Sequence, residues 1–300
     1  MNLEGVLLLN KPQGMTSHDC VNKVRRILGM KKVGHTGTLD PDVDGVLPIC
    51  VGRATKLSQF LTAETKTYEG EVTLGYSTTT EDASGEIVEQ KSVDTIPSDL
   101  VVGDVLRRLI GKHQQTPPMF SAVKVGGKKL YEYARAGIAV ERQARDITIH
   151  ELELTSEIVQ TEAGLVKFSF RVKASKGTFV RTLAVTIGEM LGYPAHMSNL
   201  TRVASGHFDI ASCIGFDELE QAITDSKLVL TSVEEALEGF PAVTVTEAIC
   251  GFVKNGVKLR DYQVKPAMKD GPFAIFDAAG ACLAIYEFDG EMYRSVRGLL

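Results

Sequence analysis

Gly34-His35-Thr36-Gly37-Thr38-Leu39-Asp40-Pro41-Asp42-Val43-Asp44-Gly45-Val46-Leu47-Pro48 packs three glycines, two prolines and three carboxylates into fifteen residues. Proline has no amide donor and glycine weakens both helix and strand, so this stretch predicts a shaped loop. Loops held by a rigid scaffold carry a disproportionate share of chemistry. Here a carboxylate is fixed by backbone geometry, and the rest of the chain must supply what it meets. A calcium loop is one competitor, because Asp40-x-Asp42-x-Asp44-Gly45 matches the opening of an EF-hand. Its twelfth position, which needs a bidentate Glu, is Val51, and its ninth is Pro48. A second competitor is an Asp40 that only caps the turn before Pro41.

Upstream of the loop, residues 6–9 predict a short buried strand, and Asn10-Lys11-Pro12-Gln13-Gly14 a turn. Thr16 or Ser17 can cap a helix over 18–28 that Gly29 stops. Downstream, 49–51 reads as a strand, 54–62 as a helix, and 68–74 as a strand with Tyr68, Gly70, Val72 and Leu74 on one face. Residues 77–99 are acidic and turn-rich and predict a surface hairpin. A helix over 98–110 then leads to Thr116-Pro117-Pro118, where paired prolines force an extended path. Strands over 146–154 and 164–174 precede Ser175-Lys176-Gly177-Thr178, which opens a helix over 179–191. Past Gly239-Phe240-Pro241 the pattern turns to short strands at 243–245, 273–276, 282–288 and 292–296, with Asp289-Gly290 as a two-residue hairpin signal.

A chain of 300 residues buries roughly 75% of its unfolded surface, and 44% hydrophobic with 24% charged residues is ordinary for a globular protein. The apolar run at 6–9 is too short for a signal peptide or a membrane span, so a cytoplasmic protein is expected. Five dispersed cysteines, with no C-x-x-C pair, predict reduced and mostly buried thiols. The net charge of −5 conceals a division. Residues 107–150 hold nine Lys/Arg against three Asp/Glu, while residues 209–247 hold one Lys against nine Asp/Glu. Local sign governs attraction to phosphates, because screening sets in beyond about 8 Å in physiological salt.

Gly34-His35-Thr36-Gly37-Thr38-Leu39-Asp40-Pro41, with Gly45-Val46-Leu47-Pro48 and Gly52-x-Ala54-Thr55-Lys56, closely resembles the signature of the tRNA pseudouridine synthase B family. The resemblance extends to Leu9-Asn10-Lys11-Pro12 with Thr16-Ser17, Tyr68, Thr116-Pro117-Pro118, Ser121-Ala122-Lys124 and Tyr131. It continues through Lys176-Gly177-Thr178-Phe179-Val180-Arg181-Thr182 and Leu200-Thr201-Arg202, in the family's order over about 200 residues. It implies an α+β fold built on a mixed, largely antiparallel sheet with flanking helices, the catalytic domain over 1–238. A small PUA-like β-barrel over 239–300 would follow. The implied reaction is isomerisation of the uridine at position 55 of the TΨC loop of tRNA, by base flipping with Asp40 as nucleophile.

The resemblance also implies a set of side-chain roles. Tyr68 stacks on the flipped base and Arg181 pairs with the catalytic carboxylate. Leu200 lines the base pocket, His35 holds the unstacked loop, and Phe179 and Lys11 join them at the substrate. Residues 116–145 resemble an RNA-gripping insertion, with Lys124, Lys128, Lys129 and Arg135, and Arg202 in addition, as the basic contacts. The T arm, and the acceptor stem through 239–300, are the implied partners, with no membrane and no obligatory protein partner.

Each residue type suits its implied role. Moving uracil from an N1 to a C5 attachment is an isomerisation, so it demands no redox cofactor, metal or nucleotide. A carboxylate with a reference pKa of about 3.9 is ionised at neutral pH, and a nearby guanidinium keeps it so when a base covers it. Arg181 falls in the first turn of a predicted helix, where a cation opposes the macrodipole and calls for a compensating anion. Extruding a nucleotide costs a few kcal/mol, and one aromatic platform returns about 1–3 kcal/mol. Three departures from the family pattern stand out. Val43 and Asp44 replace small residues, Phe179 stands where Tyr is frequent, and Thr201 replaces the first of an arginine pair. A non-catalytic tRNA-binding or tRNA-folding module that kept the grip without the chemistry is the alternative class.

Overall fold

The computed structural model describes residues 3–299. The chain forms two compact units, one of Met1–Pro41, Val46–Thr62 and His207–Leu300, the other of Asp42–Gly45 and Ala63–Gly206.

The first unit begins with strand Gly5–Lys11 and helix Ser17–Leu28. The helix starts where Thr16 Oγ1 accepts from the Asp19 amide (3.1 Å) and Asp19 returns the bond to the Thr16 amide (3.0 Å). This reciprocal cap satisfies two orphan donors. Gly29 ends the helix with φ +64°, a left-handed cap that favours glycine. Cys20, Val21 and Val24 form its buried face.

The glycine-rich stretch is less of a loop than its composition predicts. Val33–His35 and Asp44–Val51 are strands, paired antiparallel from Val33 with Val51 to His35 with Ile49. Pro48 is tolerated because it serves the pairing as an acceptor, its carbonyl taking the Thr36 amide (3.2 Å). Irregular backbone is confined to residues 36–43. The helix expected over 54–62 is a 3-10 turn, Gly52–Leu57, running into helix Ser58–Thr62.

The same unit holds helices Phe216–Thr224 and Val233–Ala236 and a four-stranded sheet of Ala242–Thr244, Pro272–Phe276, Cys282–Phe288 and Tyr293–Gly298, in that order. Val46, Cys50, Leu57 and Phe60 share one apolar core with Phe208, Leu237, Ala274, Cys282, Ile285 and Leu299. A second core, around Val253, Phe273, Tyr286 and Tyr293, underlies helix Glu247–Lys254, which the sequence reading did not anticipate. The last hairpin closes with four residues between Phe288 and Tyr293, not two. Asp289 Oδ1 accepts from the amides of Glu291 and Met292 (3.1 and 2.9 Å) and so stabilises the wider turn.

In the second unit five strands run antiparallel in the order Ala195–Ser205, Lys66–Leu74, Val166–Ala174, Arg145–Leu154, Gly111–Gln115. Asp44 and Gly45 pair in parallel with Thr201 and Arg202, which makes the sheet mixed. A Cβ on Gly45 would overlap the Arg202 backbone, so glycine is required at that crossing. Helix Val180–Leu191 packs on strand Ala195–Ser205, and helix Asp99–Arg108 on strand Arg145–Leu154. The fold is the α+β arrangement expected, with a large mixed and mostly antiparallel sheet. Four of the five cysteines are buried, Cys213 is half-buried, and all five are reduced thiols. Among the described residues no helix is long and apolar enough to cross a membrane.

Candidate active site

Asp40 sits between two immobilised neighbours in the first unit. On one side Leu39 is buried, and its amide and carbonyl both bond to Ser17 Oγ (2.8 and 3.2 Å). On the other the Pro41 carbonyl accepts from Lys11 Nζ (3.1 Å) and from the Gly14 amide (2.9 Å). Lys11 is fully buried and also donates to the Pro12 carbonyl (2.8 Å). The strand-turn-helix at the N-terminus thus holds the backbone on both sides of Asp40. Within the loop the Gly37 amide donates to His35 Nδ1 (3.2 Å), so that ring nitrogen carries no proton.

Tyr68 and its neighbours lie in the second unit. Half-buried Tyr68 faces Val172 on one side and Arg202 on the other, and two residues on, Gly70 faces Leu200. Tyr68, Leu200 and Arg202 therefore share one face of adjacent strands. A Cβ on Gly70 would come within 2.8 Å of Phe170 Cζ and 3.1 Å of Leu200 Cδ1, so the absent side chain makes room for both. Leu200 is 6% exposed and Arg202 1% exposed. Arg202 is thus buried, where a phosphate contact calls for an accessible guanidinium. Beside it lies Lys66, whose ammonium donates to the Glu64 carbonyl (2.8 Å). Burial, with Arg202 and Lys176 nearby, pushes the Lys66 amine down to about 8.

Arg181 occupies the first turn of helix Val180–Leu191 and is 5% exposed. Its guanidinium donates to the carbonyls of Thr80 (2.8 Å) and Phe120 (2.7 Å), and Asp82 Oδ2 lies 3.5 Å away. Asp82 is an anion of the kind that position requires. Phe179, one step ahead of the helix, is pinned at both backbone groups by the Gln115 side-chain amide (2.8 and 3.0 Å). Sequence reasoning missed Gln115 and Asp82, and read Ser17 only as a candidate helix cap within the family pattern. Asp82 left a signal in the turn chemistry of Asp82-Ala83-Ser84-Gly85, within a stretch taken for surface, and Gln115 left none.

The basic insertion forms a hairpin, Lys124–Val125 with Lys128–Lys129, followed by helix Leu130–Arg135. Lys124, Lys128 and Arg135 are exposed. Two cations lie over the Tyr131 ring, Lys129 Nζ at 5.3 Å and the Arg135 guanidinium at 5.4 Å from its centroid. Pro117, Val123, Leu130, Arg142 and Arg145 contribute to a cavity of about 480 Å³ in this insertion.

A large mixed, mostly antiparallel sheet with flanking helices is the fold of the pseudouridine synthases. A crystal structure of a Cbf5–Nop10–Gar1 complex has this fold, with a TM-score of 0.77 and 25% identity, over 99% of this chain and 85% of that one. Residues 25–180 match the TruB family pseudouridylate synthase N-terminal domain, and residues 181–238 the tRNA pseudouridylate synthase B C-terminal domain. The tRNA pseudouridine synthase B of Bacillus cereus is 58% identical over 288 residues, covering 95% of this chain and 92% of that protein. The Geobacillus thermodenitrificans protein of the same name is 55% identical over 289 residues, covering 95% and 94%. The chain belongs to the TruB family of pseudouridylate synthases.

Proposed function

We propose that this enzyme, which isomerises uridine to pseudouridine in tRNA as its family does, acts on position 55 of the TΨC loop with Asp40 as the nucleophile. The observation that carries the reading is the clamp on both neighbours of Asp40. The Leu39 amide and carbonyl are bound to Ser17, and the Pro41 carbonyl to Lys11 and Gly14. A reacting carboxylate must not relax away when a base displaces its water, and two fixed neighbours provide that order in advance.

In the reaction the bond from the ribose to N1 breaks and a bond from the ribose to C5 forms, while the C5 proton is given up and N1 gains one. The atom count is unchanged, so nothing is consumed. Tyr68 offers the ring on which the extruded uracil stacks, with Leu200 as its apolar wall. Arg181 supplies the positive charge that keeps a carboxylate ionised once water is excluded. Lys11 acts by holding the loop, and Arg202 by charge from within the sheet beside Tyr68. His35 and Phe179 border the unstacked nucleotides.

The exposed cations Lys124, Lys128 and Arg135, with Lys129, grip the T arm through phosphates and A-form shape. Residues 239–300 form a PUA-like module that reaches the acceptor stem, and the enzyme works in the cytoplasm. The test is incubation with an unmodified tRNA transcript, followed by mapping of pseudouridine. Asp40→Asn should lose nearly all turnover while binding the transcript within about twofold of the parent. Unchanged product at position 55 would remove Asp40 from the chemistry and leave the alternative of a binding module.

A further inference from the structure

Residues 78–85 lie outside every role assigned above except those of the Thr80 carbonyl and Asp82 toward Arg181, yet they are braced internally. Thr78 Oγ1 donates to the Asp82 carbonyl (2.5 Å). Asp82 Oδ1 accepts from Thr80 Oγ1 (2.6 Å), Ser84 Oγ (2.6 Å) and the Ser84 amide (3.0 Å). Gly85 approaches so closely that a Cβ there would lie 2.7 Å from the Thr80 amide nitrogen. Within this frame Glu81 has φ +64°, a left-handed conformation that side chains other than those of Asn and Asp seldom adopt.

Both backbone groups of Glu81 are engaged, the amide with the Thr78 carbonyl (3.2 Å) and the carbonyl with the Met197 amide (3.0 Å). Its carboxylate reaches the helix, Oε2 accepting from Thr182 Oγ1 (2.6 Å). Thr182 is the residue after Arg181. Three consecutive residues therefore hold two consecutive ones: Thr80 O and Asp82 Oδ2 on Arg181, and Glu81 Oε2 on Thr182. The charges facing Glu81 are Arg181 and Arg142, which attract it, and Asp82, which repels it. Arg142 belongs to the insertion, where it donates to the Pro117 carbonyl (3.0 Å).

We propose that Glu81 is a positioning residue for the isomerisation: through Thr182 it fixes the helical turn that carries Arg181, and its negative charge offsets Arg181 and Arg142. The inference rests on the role given above to Arg181. A hydrogen bond to Thr182 alone needs only an oxygen, which glutamine also has, so the charge is the separable part. Burial pushes the Glu81 carboxyl up, against the opposing pull of Thr182, Arg181 and Arg142. Its protonation thus belongs to the acid side of the activity profile.

The experiment measures kcat and KM on an unmodified tRNA transcript from pH 5 to 8 for the parent, Glu81→Gln, Glu81→Asp, Thr182→Val and Arg181→Met. Glu81→Gln should lower kcat about tenfold, with KM within about twofold, and flatten the acid limb of kcat. Glu81→Asp, which restores the charge, should recover part of the rate. Thr182→Val breaks the same bond from the other side and should also lose kcat alone. Parental kcat and acid limb in Glu81→Gln, with Arg181→Met inactive, would overturn the inference and leave the Arg181 reading intact. Full turnover by Arg181→Met would overturn both.

Discussion

At the scale of single residues, the site depends on polar atoms that fix backbone more than on those that face solvent. Ser17 is 1% exposed and bonds both backbone groups of Leu39, which is itself 4% exposed. Ser17→Ala leaves a buried amide and a buried carbonyl without that partner, at a cost of about 1–3 kcal/mol. Denaturant unfolding should show that loss, and turnover should fall further than stability alone explains if Asp40, the next residue, is the nucleophile proposed above. Lys11 shows how burial changes a reading. A lysine beside a proline suggests surface, but its ammonium is enclosed and serves two carbonyls. Lys11→Met should therefore impair turnover through the loop, with tRNA affinity and its salt dependence near parental in filter binding.

At the scale of elements, strand Ala195–Ser205 carries the greatest consequence and was the least visible in the sequence. It lies beside Lys66–Leu74 and aligns Leu200 with Gly70 and Arg202 with Tyr68. Its register shifts twice, between Met197 and Asn199 and between Arg202 and Ala204. Each bulge reverses the alternation that reveals a strand, so no steady period of two survives. Gly70→Ala should cost about 1–3 kcal/mol, because the added methyl overlaps the fully buried Phe170 ring and crowds Leu200. A lower melting temperature with a raised KM would register both effects. The insertion hairpin is a separable element. Replacing Lys128 and Lys129 by glutamine should weaken tRNA binding and reduce the slope of log affinity against log salt by about 1–2. An unchanged slope would move that hairpin off the RNA.

At the scale of the whole molecule, a buried cation sets a pH dependence of stability. Burial and the neighbouring cations lower Lys66 from 10.5 to about 8 in the folded chain. Between those values the unfolded state binds more protons, so stability from this group rises with pH. The cost of charging Lys66 is fully present below pH 8, is on the order of 3 kcal/mol, and is relieved as pH approaches 10.5. Lys66→Met should therefore gain most over the parent near pH 7, and the difference should shrink by pH 10 in paired denaturant titrations.

The sequence by itself determined the family, the mixed α+β class, the strands at 68–74 and 282–288, and the capped helix that ends at Gly29. These are written in local signals: period-two alternation, a Thr or Ser cap, a glycine stop and a contiguous motif. Only the tertiary structure decided that Ser17 and Lys11 brace the neighbours of Asp40, that Arg202 is enclosed, and that Asp82 and Glu81 hold the start of the Arg181 helix. Those bonds join residues 22 to 101 positions apart. No local pattern encodes such pairs, because they are selected by the cost of leaving a buried polar atom without a partner, and burial exists only once the chain has folded.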